Sequence, residues 1–178
     1  MIEVRLGELA VVSGEVDADA IVRPVTTDFA PVTPAMRRFE QAAGGAVAEQ
    51  SGLLGDIPMG AAVITAAGDL DADLIIHVAV RSSTENATRP VIRQGLVNAL
   101  RRVAEWGAET VAVAPLGTGA GNLDAETAAD VMLAILAEHT ASGDGPAHMV
   151  LVVEDEYQQA AFTGAVLRHV GDQAGIGT

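Results

Sequence analysis

The chain has 178 residues, 18.2 kDa of mass and no cysteine; 49% of it is apolar and mean hydropathy is +0.32. That much apolar side chain excludes a disordered chain, and the absence of thiols excludes a disulfide scaffold, a thiolate metal site and a cysteine nucleophile. Twenty-four acids against ten bases, all Arg, give a net charge of −14, which disfavours nucleic acid as a partner and rules out any chemistry that needs lysine.

The N-terminus, MIEVRLGEL, lacks the basic and apolar regions of a signal peptide, and no run of uncharged apolar residues is long enough for a membrane span. A cytoplasmic protein with no membrane partner is the expectation. Apolar runs of strand length predict strands at Ile2–Leu6, Ala20–Val25, Ala61–Ala66, Leu74–Ala79, Thr110–Ala114 and Met149–Val153. LIIHVAV and MVLVV are continuously apolar, as strands covered on both faces are. Thr33-Pro34 reads as N-cap and first helical position of a helix that ends at Gly44-Gly45. Pro90 opens a helix to Trp106, closed by Gly107. Asp124 caps a helix to about His139, and Asp155 or Glu156 starts the last one, ending near Val170. Ser82–Thr88 is a polar loop. The β-α alternation predicts one domain over residues 1–170, a three-layer α/β/α sandwich with a mostly parallel sheet. The Gly-rich residues 171–178 are expected to form a flexible tail.

One segment carries chemistry. In Val111–Leu123, VAVAPLGTGAGNL, an apolar strand runs into a glycine-rich loop and then a helix. In open parallel sheets ligands bind beyond the strand carboxyl ends, and loop amides beside a helix N-terminus suit a phosphate. The spacing of Gly117, Gly119 and Gly121 matches neither the dinucleotide-binding nor the P-loop pattern, and a plain strand-to-helix turn would need the same glycines.

PLGTGAGNL resembles the second phosphate loop of macro domains, the ADP-ribose-binding module. VDADAIV at Val16–Val22 is similar to that family's VDAIV strand, Gly60–His77 to its G-x-A-x-x-T…L…IIH segment, and Gly7-Glu8-Leu9 to its Gly-Asp-Ile. The resemblance runs from Met1 to about Val170 and implies a six-stranded mixed, mostly parallel sheet. It implies a small nucleotide ligand of the ADP-ribose kind, with no cofactor and no metal. Glu8 would face the adenine, Arg23 and Thr26 the distal ribose, and Leu116, Gly117, Thr118, Gly119, Ala120, Gly121 and Asn122 the diphosphate.

The chain also departs from the family. Its NAAN stretch is here Arg23-Pro24-Val25-Thr26, and its glycine-rich first phosphate loop is Asp28–Pro34, DFAPVTP, with no glycine. The aromatic that stacks on adenine falls near Glu154. These changes make it a divergent member, expected to bind rather than hydrolyse. An ADP-ribosyl or phosphate-ester hydrolase, or a macro fold without a nucleotide ligand, are the alternatives. Arg23, at the end of a buried strand, must pair with a carboxylate such as Asp28 or face a pocket. His77 reads as a satisfied core residue, Trp106 as a packing residue, and Arg37 and Arg38 as solvent-side charges.

Overall fold

The computed structural model describes residues 1–120, 122–143 and 145–171. Among the described residues there are six strands and six helices. They are β1 (Ile2–Leu6), α1 (Leu9–Glu15), β2 (Ala20–Thr26), α2 (Pro34–Ala43), α3 (Gly45–Leu54), β3 (Ala62–Ala66), β4 (Leu74–Arg81), α4 (Arg89–Trp106), β5 (Thr110–Val113), α5 (Ala125–Ser142), β6 (His148–Val153) and α6 (Glu156–His169). One sheet holds the strands in the order β1-β6-β5-β2-β4-β3. All neighbours are parallel except β3, which pairs antiparallel with β4 at the edge. This is the expected three-layer, mixed and mostly parallel arrangement.

Alternate residues of the central strands feed two separate cores. Val22, Ile76, Val78 and Leu151 pack under α4, α5 and α6, with Leu96, Met132 and Phe162 among the buried partners. Ile21, Ile75, Ala112 and Val150 face the other way, under Leu9, Val12, Met36, Phe39 and Val47 of α1, α2 and α3. Burial on both faces is why β2, β4 and β6 are apolar without alternation. Pro24 lies inside β2, yet the ladder with β5 stops at Val22, so its missing N–H is not needed there.

Side-chain caps start four of the helices, α2, α4, α5 and α6. Thr33, Thr88, Asp124 and Asp155 accept from the amides of Met36, Val91, Thr127 and Gln158. Two helices lie outside the expected set, α1 and α3. The first expected helix stops at Gly44-Gly45 as read, but Gly44, at φ 84°, then turns the chain straight into α3, which was not expected. Trp106 is not a packing residue. It is 64% exposed, because the buried stripe of α4 runs through Leu96, Leu100 and Val103 and Trp106 falls outside it.

Parallel strands bring their carboxyl ends to one side of the sheet. There the β1–α1 turn, the β2–α2 loop (residues 27–33), the β4–α4 loop (residues 82–88), the β5–α5 loop (residues 114–124) and Glu154 after β6 gather.

Candidate functional site

The β5–α5 loop is built on glycine geometry. Gly117 has φ 81° and Gly119 φ 111°, conformations an L side chain rarely adopts. A Cβ on Gly117 would also lie 2.6 Å from Ile92 Cδ1, so the loop packs directly on α4. Leu116 is fully buried, and its amide points at Met132 Sδ, 3.2 Å away. Asn122 ties the loop to its neighbour, its Oδ1 accepting from the Ala87 amide at 2.8 Å. The amides of Leu123 and Asn122 close back on the carbonyls of Gly117 and Gly119. Among the described residues the amides of Gly117, Thr118, Gly119 and Ala120 have no acceptor. Thr118 is buried, whereas Gly119 and Ala120 are exposed; Gly121 lies outside the described residues.

The β2–α2 loop is organised differently. Thr26 Oγ1 is held by the Asp28 carboxylate and accepts from the Ala30 amide at 2.8 Å, so the hydroxyl is spent inside its own loop. That hydrogen bond holds the Asp28 carboxyl below its ordinary range. Phe29, at φ 65°, turns its ring inward against His77, edge to face with centroids 5.6 Å apart. The two loops meet at Gly119, where a Cβ would sit 3.3 Å from Thr33 Cγ2 and 3.4 Å from the Val32 carbonyl.

Arg23 is 2% exposed and lies on the face under α2 and α3. Its Nε donates to His77 Nδ1 at 2.9 Å, and its Nη1 donates to Glu40 Oε1 at 2.9 Å. The partner is therefore Glu40, not Asp28, because Glu40 stands on the inward side of α2 between buried Met36, Phe39 and Ala43. Burial lowers the guanidinium pKa, and the hydrogen bond and charge of Glu40 oppose that. His77 is fully buried. Since Arg can only donate, His77 Nδ1 is the acceptor and its Nε2–H donates to Thr65 Oγ1 at 2.8 Å. Thr65 in turn donates to the Ala66 carbonyl at 3.0 Å. Burial, and then the charge of Arg23, push the His77 pKa down to about 3. Both ring nitrogens are occupied, which removes His77 as a general base.

Glu8 and Glu154 stand where adenine contacts were expected. Glu8 takes a hydrogen bond from Arg38 Nε at 2.8 Å in an exposed ion pair, so Arg38 is the solvent-side charge expected, with Glu8 as its partner. Glu154 accepts from Thr33 Oγ1 at 3.0 Å, tying the start of α2 to the end of β6. Burial raises the Glu154 pKa, against the Thr33 hydrogen bond that lowers it.

A cavity of about 280 Å³ opens beneath the β2–α2 loop, lined by Arg23, Phe29, Phe39, Glu40, Val47 and Ser51 among others. Of these only Arg23 was expected from the sequence. The spacing of Met36, Phe39, Glu40 and Ala43 was the available signal, since it places a carboxylate on the buried stripe of a helix. Among the described residues no three His, Asp or Glu side chains are grouped as metal ligands would be.

The Macro domain family matches residues 34–132. An uncharacterized protein of Aeropyrum pernix is 29% identical over 183 residues, covering 98% of this chain and 90% of its own. An uncharacterized protein of Mycobacterium tuberculosis is 25% identical over 93% of this chain, which spans 45% of that relative's length. The O-acetyl-ADP-ribose deacetylase of Escherichia coli is 30% identical over 121 residues, 67% of this chain and 68% of its own. Among solved structures, the Oceanobacillus iheyensis macrodomain with ADP superposes with a TM-score of 0.82 at 16% identity, covering 94% of this chain and 90% of that one. The Trypanosoma brucei macrodomain in complex with ADP-ribose gives 0.81 at 14% identity, over 93% and 68%.

Proposed function

The chain belongs to the macro domain family, and we propose that it binds ADP-ribose or a related nucleotide diphosphate at the strand carboxyl ends. The observation that carries this reading is the run of amides at Gly117–Ala120 without acceptors, in a loop whose φ angles require glycine. Amides so arranged hold an anion without a cation, which matters in a chain of net charge −14. The relatives whose names mention ADP or an ADP-ribose ester support the same ligand class. Recognition rests on the diphosphate, because the groups facing the nucleoside and the distal ribose are committed elsewhere. Glu8 is paired with Arg38, Thr26 with Asp28, and Arg23 with Glu40.

Binding is favoured over hydrolysis. Hydrolysis needs a base that can reach a water, and His77 is enclosed with both nitrogens bonded. Calorimetry with ADP-ribose and with ADP tests the reading. Wild type should bind both at similar strength, because the distal ribose adds little. Gly119→Val should lose at least about tenfold in affinity for each while its circular dichroism is unchanged. Gly119 is exposed, and a side chain there presses on Thr33 and Val32. Unchanged affinity in that variant, or no heat from wild type, refutes the phosphate role.

A further inference from the structure

The cavity beneath the β2–α2 loop is separate in its chemistry from the diphosphate loop, and none of its lining residues comes from the β5–α5 loop. Its walls are largely apolar, from Phe29, Phe39 and Val47, with Ala48 exposed at its edge. Its polar groups are few and sharply placed. Arg23 uses Nε on His77 and Nη1 on Glu40, and among the described residues its Nη2 has no acceptor. Glu40 receives Arg23 on Oε1 and no described donor on Oε2. Ser51 is 5% exposed, and its hydroxyl is buried with no hydrogen-bond partner. A buried hydroxyl without a partner on one apolar cavity, beside a guanidinium nitrogen and a carboxylate oxygen that no described group engages, is what a binding pocket shows and a core does not.

The charges decide the ligand class. An anion brought to Arg23 would face Glu40 beside it and Asp28 on the same wall; a cation brought to Glu40 would face the guanidinium. A neutral group offering one acceptor and one donor meets neither penalty. Its acceptor takes Arg23 Nη2–H and its donor gives to Glu40 Oε2. At about 280 Å³ the cavity falls just below the usual range for ligand pockets, roughly 300 Å³ upward, so it suits a single ring rather than a nucleotide. We propose that this cavity is a second ligand site, taking a neutral carboxamide carried on a small flat apolar ring. The Arg23–Glu40 pair would read the amide, and Phe29 and Phe39 would hold the ring.

Benzamide is the probe, with benzoate and benzylamine as its charged counterparts, measured by ligand-observed NMR and calorimetry on the full chain. Benzamide should bind with a Kd of about 1 mM or tighter, as a ligand of this size can. Each charged counterpart should bind at least about tenfold more weakly. Ala48→Trp, at an exposed helix position on the cavity edge, should keep the circular dichroism of wild type and weaken benzamide at least about tenfold. The same variant should leave ADP-ribose affinity unchanged, which separates this site from the diphosphate loop. Benzamide binding weaker than about 10 mM, benzoate or benzylamine binding as well as benzamide, or a folded Ala48→Trp that still binds it normally would each overturn the proposal.

Discussion

Acidification should destabilise this protein through one buried ring. His77 is fully buried and neutral, with Nδ1 accepting from Arg23 and Nε2–H donating to Thr65. In the unfolded chain the imidazole titrates near about 6.5, whereas in the fold its pKa is pushed down to about 3. Between those values the unfolded state binds the extra proton, so stability falls as pH falls through that window and levels off, for this group, below it. At about 1.4 kcal/mol per unit the complete effect is about 5 kcal/mol, of which about 2 kcal/mol is lost between pH 7 and pH 5. Paired carboxylates also titrate on the acid side, so the measurement is a difference. Urea unfolding of wild type and His77→Asn is followed at pH 7, 6 and 5; Asn can still accept from Arg23 but cannot titrate. The wild type should lose about 2 kcal/mol more than the variant across that range. In wild type the ring itself should show no NMR titration above pH 5. Equal pH slopes in the two proteins, or a ring that titrates near its ordinary value, would refute the buried neutral imidazole.

The other tests bear on the ties around α2. Glu40→Ala leaves the Arg23 guanidinium without its carboxylate; because 32% of the Glu40 side chain is exposed, the cost in denaturant unfolding should be about 2 kcal/mol, below the 3–5 typical of a fully buried pair. Arg23→Met combined with Glu40→Leu should recover most of that loss, since an apolar pair needs no desolvation. Thr33→Val removes an N-cap and the partner of half-buried Glu154 together, and should cost about 1–2 kcal/mol. Thr88→Val removes a single long cap of 3.4 Å and should cost no more than about half as much in the same urea series.

The fold was legible because its signals are local. Continuous apolar runs marked the strands covered on both faces; capping residues marked the starts of α2, α5 and α6, and Pro90 marked that of α4. The two unforeseen helices lack those signals. Both α1 and α3 start without a side-chain cap: Glu8 at the first start is turned to Arg38, and Gly44 at the second carries no side chain. Only Val47 and Ser51 of α3 are buried, so it shows almost no apolar stripe. Its existence depends on packing beside α2 and on the sharp turn at Gly44. Trp106 was misread for a related reason. An indole at the end of an amphipathic helix suggests the core, but which side of the last turn it takes is decided by register against the sheet.

The site divides along the same line. The β5–α5 loop could be read from its glycines, because positive φ is a property of the residue itself. The β2–α2 side could not, because there the outcome depends on which partner each polar group finds. The positions resembling ligand contacts remain polar, yet each is tied within the protein: Glu8 to Arg38, Arg23 to His77 and Glu40 through Nε and Nη1, Thr26 to Asp28, and Glu154 to Thr33. Three of these four ties, those of Glu8, Arg23 and Glu154, begin or end on α2 or its cap. Under the proposed reading, a nucleoside at Glu8 or a ribose at Arg23 would have to break contacts that also position that helix, whereas a diphosphate at the β5–α5 loop would break none. The two ends of the cleft thus carry different costs. Exposed Glu8–Arg38 is worth at most about 1 kcal/mol and can open readily. Arg23–Glu40 cannot, because opening it would leave a guanidinium that is 2% exposed without its carboxylate. Under the proposed ADP-ribose reading, that asymmetry would make the Glu8 end of the cleft the adaptable one and the Arg23 end the closed one.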